Sequence, residues 1–131
     1  MKFYLCSICN NLIEMIEDSS NNPSCCGKQM KELRTHSTDG ALEKHVPVYK
    51  VTAGDATESL IKEVHVTVGE LPHPSEDFHY IKWIILETTD GIYRKHLQPG
   101  DPPSAIFYIR MGEHVKNVYS YCNLHGLWDI N

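Results

Sequence analysis

Five cysteines and eight histidines stand in this 131-residue chain, and their spacing sorts most of them into two groups. The first is Cys6-Ser7-Ile8-Cys9 followed by the adjacent pair Cys25-Cys26. A C-x-x-C knuckle lets two sulfurs face one metal ion while intervening backbone N–H groups bond to the sulfurs. Side chains of successive residues tend to diverge, so chelation by both Cys25 and Cys26 predicts a distorted tetrahedron, with Gly27 able to supply a turn of positive φ. Four soft thiolates suit Zn²⁺ or a single iron, and residue chemistry alone tilts towards zinc. The plainest role for such a site is a metal knob that holds a small unit together. The second group is spread over three motifs: Glu43-Lys44-His45-Val46-Pro47, His73-Pro74-Ser75-Glu76-Asp77-Phe78-His79-Tyr80-Ile81, and Cys122-Asn123-Leu124-His125-Gly126-Leu127-Trp128. Cys122 and His125 have a spacing that can grip one ion. His73 and His79, six apart across a Pro-containing turn, can converge on it. A site of imidazoles and one thiolate suits iron or copper better than structural zinc. The residues leave open which ligands are equatorial. His36, His65, His96 and His114 read as surface or satisfied histidines.

The elements that must position these groups divide the chain unevenly. Residues 1–36 hold four of the cysteines and few large apolar side chains. A unit below roughly 40 residues usually needs a metal or disulfides to fold. Glu17–Ser24 reads as a polar loop between the cysteine pairs, and His36–Gly40 as a linker. Residues 41–131 read as all-β, with strands expected at Val48–Thr52, Ile61–Val68, His79–Thr88, Ile92–Leu97, Ala105–Arg110 and Val115–Cys122. Val64, Val66 and Val68 alternate with polar residues, the period of a half-buried strand. Ile81–Leu86 is more continuously apolar and suits a central strand. Turn signals fall at Gly54-Asp55, Gly69, Asp90-Gly91, Pro99–Pro103 and Met111-Gly112. Strands at this spacing predict a β-sandwich.

Composition narrows the function. An odd number of cysteines excludes a complete set of intrachain disulfides. The N-terminus carries no apolar secretory run, so the cytoplasm is expected, where clustered cysteines usually bind metal. No stretch approaches the roughly 20 apolar residues that cross a bilayer. The formal charge of −5 argues against a nucleic-acid binder but leaves room for a small anion met by a local positive charge.

Taken together, the motifs resemble those of desulfoferrodoxin, the two-iron form of superoxide reductase, over essentially the whole chain. Residues 1–36 are similar to its desulforedoxin-type domain, and residues 37–131, with Glu-Lys-His-Val-Pro, His-Pro-x4-His-Tyr-Ile and Cys-Asn-Leu-His-Gly-Leu-Trp in order, to its catalytic immunoglobulin-like sandwich. One departure is Ser75, where the pattern usually has Met; it is not a ligand position, though it bears on loop packing near His73.

The resemblance implies two iron ions: Fe(Cys)4 at Cys6, Cys9, Cys25 and Cys26, with zinc as a substitute, and a reactive centre with His45, His73, His79 and His125 in a square plane, Cys122 axial and the sixth position open. It implies one-electron reduction of superoxide to hydrogen peroxide, with Lys44 attracting the anion and Glu43 acting as a mobile ligand to the oxidised iron. A rubredoxin-like electron donor and a homodimer are the implied partners. A non-catalytic iron electron carrier and a structural zinc module are the competing readings.

Overall fold

The computed structural model describes residues 1–53 and 60–131; the expected turn at Gly54-Asp55 lies outside them. The chain is nearly all β. Its elements are β1 (Lys2–Leu5), β2 (Leu12–Met15), β3 (Ser24–Cys25), β4 (Lys28–Gln29), β5 (Lys31–Glu32), a single helical turn α1 (Leu42–His45), β6 (Pro47–Ala53), β7 (Ile61–Val68), β8 (Ile81–Thr88), β9 (Ile92–His96), β10 (Ser104–Arg110), β11 (Val115–Cys122) and β12 (Gly126–Asp129). Two antiparallel sheets, ordered β10-β7-β6 and β12-β11-β8-β9, face each other as the expected immunoglobulin-like sandwich. Ahead of them lie a small sheet, β2-β1-β5, and the hairpin β3-β4.

Alternation fixes which side of each strand is inside. Val64 and Val66 of β7 pair with Phe107 and Ala105 of β10, and together with Val68 these meet Ile84, Leu86 and Val118 across the sandwich. Each of these side chains other than that of Ala105 contributes about 1.5–3 kcal/mol by its burial. β8 does not alternate because both of its faces are covered. Ile84 and Leu86 face the sandwich core, whereas Trp83 and Ile85 join Phe3, Tyr119 and Leu127 in a second cluster beneath the N-terminal unit. The apolar run at 81–86 therefore records a third layer as well as a central position. An ion pair from Arg94 of β9 to Glu14 of β2 and an edge-on contact of Phe3 with Tyr119 tie the same two layers together.

Three features depart from the sequence reading. β12 is an additional strand, pairing Trp128 with Ser120 and Leu127 with Tyr121 of β11. At four residues it is too short to show a period. His45 stands on α1 rather than at a strand end or in a loop. The segment expected to be a linker lies against β12: the His36 N–H donates to the Leu127 carbonyl at 3.0 Å, and its ring reaches Asp129 at 2.8 Å.

A four-residue helix has no independent stability, so α1 must be held by its surroundings. The turn after β7 does this. The Leu71 N–H donates to the Glu43 carbonyl at 3.0 Å and the Gly69 N–H to that of Val46 at 3.1 Å. Gly69 has φ +85°, and a Cβ there would lie 2.8 Å from the Lys44 backbone and 2.3 Å from the Leu71 carbonyl oxygen. Glycine is thus required twice over, by its dihedral and by the close approach. Gly69→Ala is expected to lower stability by about 2 kcal/mol or more and to loosen α1, read as a drop in Tm together with weaker metal retention at the site that His45 joins.

Candidate metal centres

The N-terminal thiols are gathered by two turns. In the first, the Asn10 N–H donates to the Cys6 carbonyl at 3.0 Å, with Asn10 left-handed at φ 60°. In the second, Cys25 ends β3 and pairs with Lys28 of β4, leaving Cys26 and Gly27 as the two-residue loop. Both have positive φ, 51° and 74°, as a type I′ hairpin turn demands. This resolves the adjacent cysteines: one is the last strand residue and the other the first turn residue, so the left-handed backbone carries the second sulfur round to the first. Cys9 Sγ lies 3.6 Å and Cys26 Sγ 3.9 Å from Cys25 Sγ. All four sulfurs fall within 4.8 Å of one another.

The electrostatics of this cluster are those of a site that must lose protons to be satisfied. N–H groups of Cys9 and Ile8 pull the Cys6 thiol down to about 6. Hydrogen bonding to Cys9 and Cys25 pushes Cys26 up to about 12, and hydrogen bonding to Cys9 and Cys6 also raises Cys25. Cys6 loses its proton readily, whereas hydrogen bonds among the sulfurs hold the protons on Cys25 and Cys26, an imbalance that a bound cation removes.

The second group is assembled at one end of the sandwich. α1 supplies His45, the loop after β7 supplies His73, the turn before β8 supplies His79, the end of β11 supplies Cys122 and the β11–β12 connection supplies His125. Their ligand atoms also lie within 4.8 Å of one another. The four rings form a square. Neighbouring centroids are 4.7 Å (His45–His73), 4.6 Å (His73–His79), 5.1 Å (His79–His125) and 4.6 Å (His125–His45) apart, with planes at 71–85°. His45 and His79 face each other across it at 6.2 Å. Cys122 Sγ is 3.7 Å from His125 Nδ1.

Two of these rings have a fixed tautomer. His45 Nδ1 donates to the Ala41 carbonyl at 2.8 Å and His73 Nδ1 to the Pro74 carbonyl at 2.7 Å. Each Nε2 therefore carries a lone pair, and the two face each other at 3.2 Å. His45 Nε2 also lies 2.9 Å from His125 Nδ1, and His79 Nε2 is buried with no hydrogen-bond partner. Four nitrogens about 2.1 Å from a central ion in a square would have edges of about 3.0 Å. The donor set and its spacing thus fit a metal ion. Burial favours the neutral form of three of the rings, the form a ligand needs: it pushes His73 down to about 4 and lowers His45 and His79. Burial also raises the Cys122 thiol, against N–H groups of His125 and Leu124 that favour its thiolate.

Around the ligands sits packing that the sequence reading did not assign. Trp128, 1% exposed, stacks on His45 at 4.8 Å, and its indole N–H donates to the His125 carbonyl at 3.0 Å. The Thr38 hydroxyl donates to the same carbonyl. Gly40 lies so close to Trp128 and His45 that a Cβ would come within 2.9 Å and 3.2 Å of them. Ser120 donates to the His45 carbonyl at 3.2 Å. The aromatic ending of the third motif was the available signal for Trp128; Thr38, Gly40 and Ser120 carried none. Ser75 binds the opposite loop, donating to the Asp101 carbonyl at 2.6 Å and accepting from the Gly100 N–H at 3.0 Å. Glu43 and Lys44 are exposed on α1 beside His45. The Glu43 carboxylate favours the charged form of His45, and the Lys44 charge opposes that of His79. His65, His96 and His114 lie outside both groups.

Comparison with known proteins agrees with this geometry. The sequence profile of the desulfoferrodoxin family matches residues 37–131. A desulfoferrodoxin of Syntrophotalea carbinolica is 41% identical over 128 residues, covering 98% of this chain and 94% of that protein. A superoxide reductase of Thermococcus kodakarensis is 37% identical over 106 residues, covering 71% of this chain and 89% of that protein. The crystal structure of the superoxide reductase from Treponema pallidum superposes with a TM-score of 0.76 at 30% identity, covering 98% of this chain and 96% of that one.

Anaerobic reconstitution of the metal-free chain is expected to take up two equivalents of metal. Cys26→Ala should lose one and His73→Ala the other, each leaving the absorption bands of the remaining site in place.

Proposed function

Because the chain belongs to the desulfoferrodoxin family, we propose that it is a superoxide reductase, with one iron held by Cys6, Cys9, Cys25 and Cys26 and a second by His45, His73, His79, His125 and Cys122. The observation that carries this reading is the square of four imidazoles joined by a buried cysteine. Ferrous iron bound there would supply the one electron that, with two protons, converts superoxide to hydrogen peroxide.

The chain's own residues do the rest. The anchored Nδ1–H groups of His45 and His73 hold two rings in the neutral, metal-facing tautomer. The Cys122 thiolate pushes electron density towards its metal, the role such a ligand plays on haem iron. The N–H groups of Leu124 and His125 that lie against the sulfur temper that push. Lys44 supplies the local positive charge that draws a small anion to an otherwise acidic protein. Glu43 offers a hard carboxylate donor suited to the ferric state.

At the cysteine site, zinc is the alternative occupant, since four thiolates accept either metal. We read residues 1–36 as a metal-stapled unit that relays electrons or holds a dimer, and residues 37–131 as the reductase unit. Ile16 of the first unit is 92% exposed and Ile8 54%, apolar surface that favours a homodimer. A rubredoxin-like carrier fits as the donor. No described helix is long and apolar enough to cross a membrane, and we place the protein in the cytoplasm, where its thiols stay reduced.

Pulse radiolysis of the reduced, metal-quantified protein tests the activity: superoxide is expected to be consumed with formation of hydrogen peroxide and without oxygen. Oxygen evolution would indicate dismutation instead. Lys44→Ala should slow the second-order reaction about three- to tenfold and flatten its dependence on salt, with the iron spectrum unchanged. Glu43→Ala should leave that rate nearly intact but shift the absorption of the oxidised protein; an identical oxidised spectrum removes Glu43 from the metal.

A further inference from the structure

We propose that Asn123 is the residue that positions His79, by clamping the backbone on both sides of it. The inference rests on the reading of His79 as a metal ligand and adds a residue through which that ligand is held. His45 and His73 are fixed through their own rings, each Nδ1 bonded to a backbone carbonyl. Among the described residues no carbonyl anchors the His79 ring, and its Nε2 is buried without a partner. Its aim must come from its backbone.

That backbone is held from two directions. Within the turn, the His79 N–H donates to the Glu76 carbonyl at 3.1 Å and the His79 carbonyl accepts from the Glu76 N–H at 3.0 Å. The flanking peptide groups point the other way, to Asn123. The Tyr80 N–H donates to Asn123 Oδ1 at 2.9 Å, and Asn123 Nδ2 donates to the Phe78 carbonyl at 2.9 Å. The Asn123 main-chain N–H also donates to the Tyr80 carbonyl at 3.2 Å. The carboxamide thus meets the chain as a neighbouring strand would, one donor and one acceptor straddling a single residue. It is placed there because Asn123 follows Cys122 at the end of β11, which pairs with β8 up to Cys122↔Ile81. Beyond Ile81 the ladder gives way, and the side chain continues it for one more residue, the one bearing the imidazole.

Both hydrogen bonds need an amide. A carboxylate of the same size accepts from Tyr80 but sets a second oxygen against the Phe78 carbonyl. A filler of space would tolerate that exchange; a clamp would not. The same side chain also links two ligand-bearing segments, since it leaves the strand end that carries Cys122 and grips the turn that carries His79. Misplacing such a supporting group typically weakens a metal site about 10- to 100-fold.

The test is cobalt binding to the full-length, metal-free chain, with the cysteine site as internal reference. Asn123→Ala and Asn123→Asp are each expected to weaken Co²⁺ at the histidine site about 10- to 100-fold, with the thiolate-to-cobalt bands of Cys6, Cys9, Cys25 and Cys26 unchanged. On a His79→Ala background, either substitution should cost little more, because the ligand it positions is gone. Wild-type affinity in Asn123→Asp, or losses that simply add to that of His79→Ala, would overturn the proposal. If Asn123→Ala does not fold, the isosteric Asp variant and its cycle with His79→Ala decide between clamp and filler. Wild-type protein that takes cobalt at the cysteines alone overturns the metal-centre reading, and this proposal with it.

Discussion

Holding His45 Nε2 at 3.2 Å from His73 Nε2 in a buried site, with both Nδ1 atoms donating to carbonyls, sets lone pair against lone pair. Protons cannot resolve the conflict cheaply, because burial opposes charging either ring. Only a cation at the centre turns the repulsion into binding. Much of the architecture at this end of the sandwich can be understood as a frame that keeps the donors converged. The carbonyls of Ala41 and Pro74 hold two rings by their far nitrogens, Trp128 backs His45, and Gly69 and Gly40 remove the atoms that would push α1 and the linker away.

The frame draws on distant parts of the chain because no single element could supply it. β11 and β8 bring Cys122 level with Ile81. The loop after β7 delivers His73, and it simultaneously caps α1 so that His45 points inward. A sandwich is well suited to holding such a frame. Its sheets are rigid through burial of Val64, Val66, Ile84 and Val118, while its end loops are free to carry ligands. The N-terminal unit uses a different economy. With a small apolar cluster of Tyr4, Cys6 and Met30, it leans on its four thiols and on Phe3, which it inserts against Trp83 of the sandwich.

The two clusters share one electrostatic logic with opposite chemistries. At the cysteines, backbone N–H groups favour an anion at Cys6 and the other sulfurs are left to compete. At the histidines, burial favours neutrality, and it also raises the Cys122 thiol, against N–H groups of His125 and Leu124 that favour its thiolate. Glu43 and Lys44 place exposed charge on α1, next to the buried ring of His45. The acidic surface of the whole is therefore compatible with an anionic substrate, since the field that matters is local.

Much of this was legible in the residues. The knuckle spacing, the lone Cys122 that opens the third motif, and the period-two run of β7 each have a physical signature that survives without coordinates. The division of the cysteines into four and one, and the sandwich itself, followed from them. What the tertiary structure decided was whatever depends on groups far apart in sequence or too short to be periodic. β12, α1 and the docking of His36–Gly40 were invisible because segments so short carry no period. The burial of β8 on both faces was visible only as an apolar run, since Phe3, which helps to cover it, lies at the other end of the first unit. Residue types determined which atoms could bind a metal; the fold alone determined that four imidazoles stand in a square, because orientation comes from carbonyls, glycines and an indole that no ligand motif encodes.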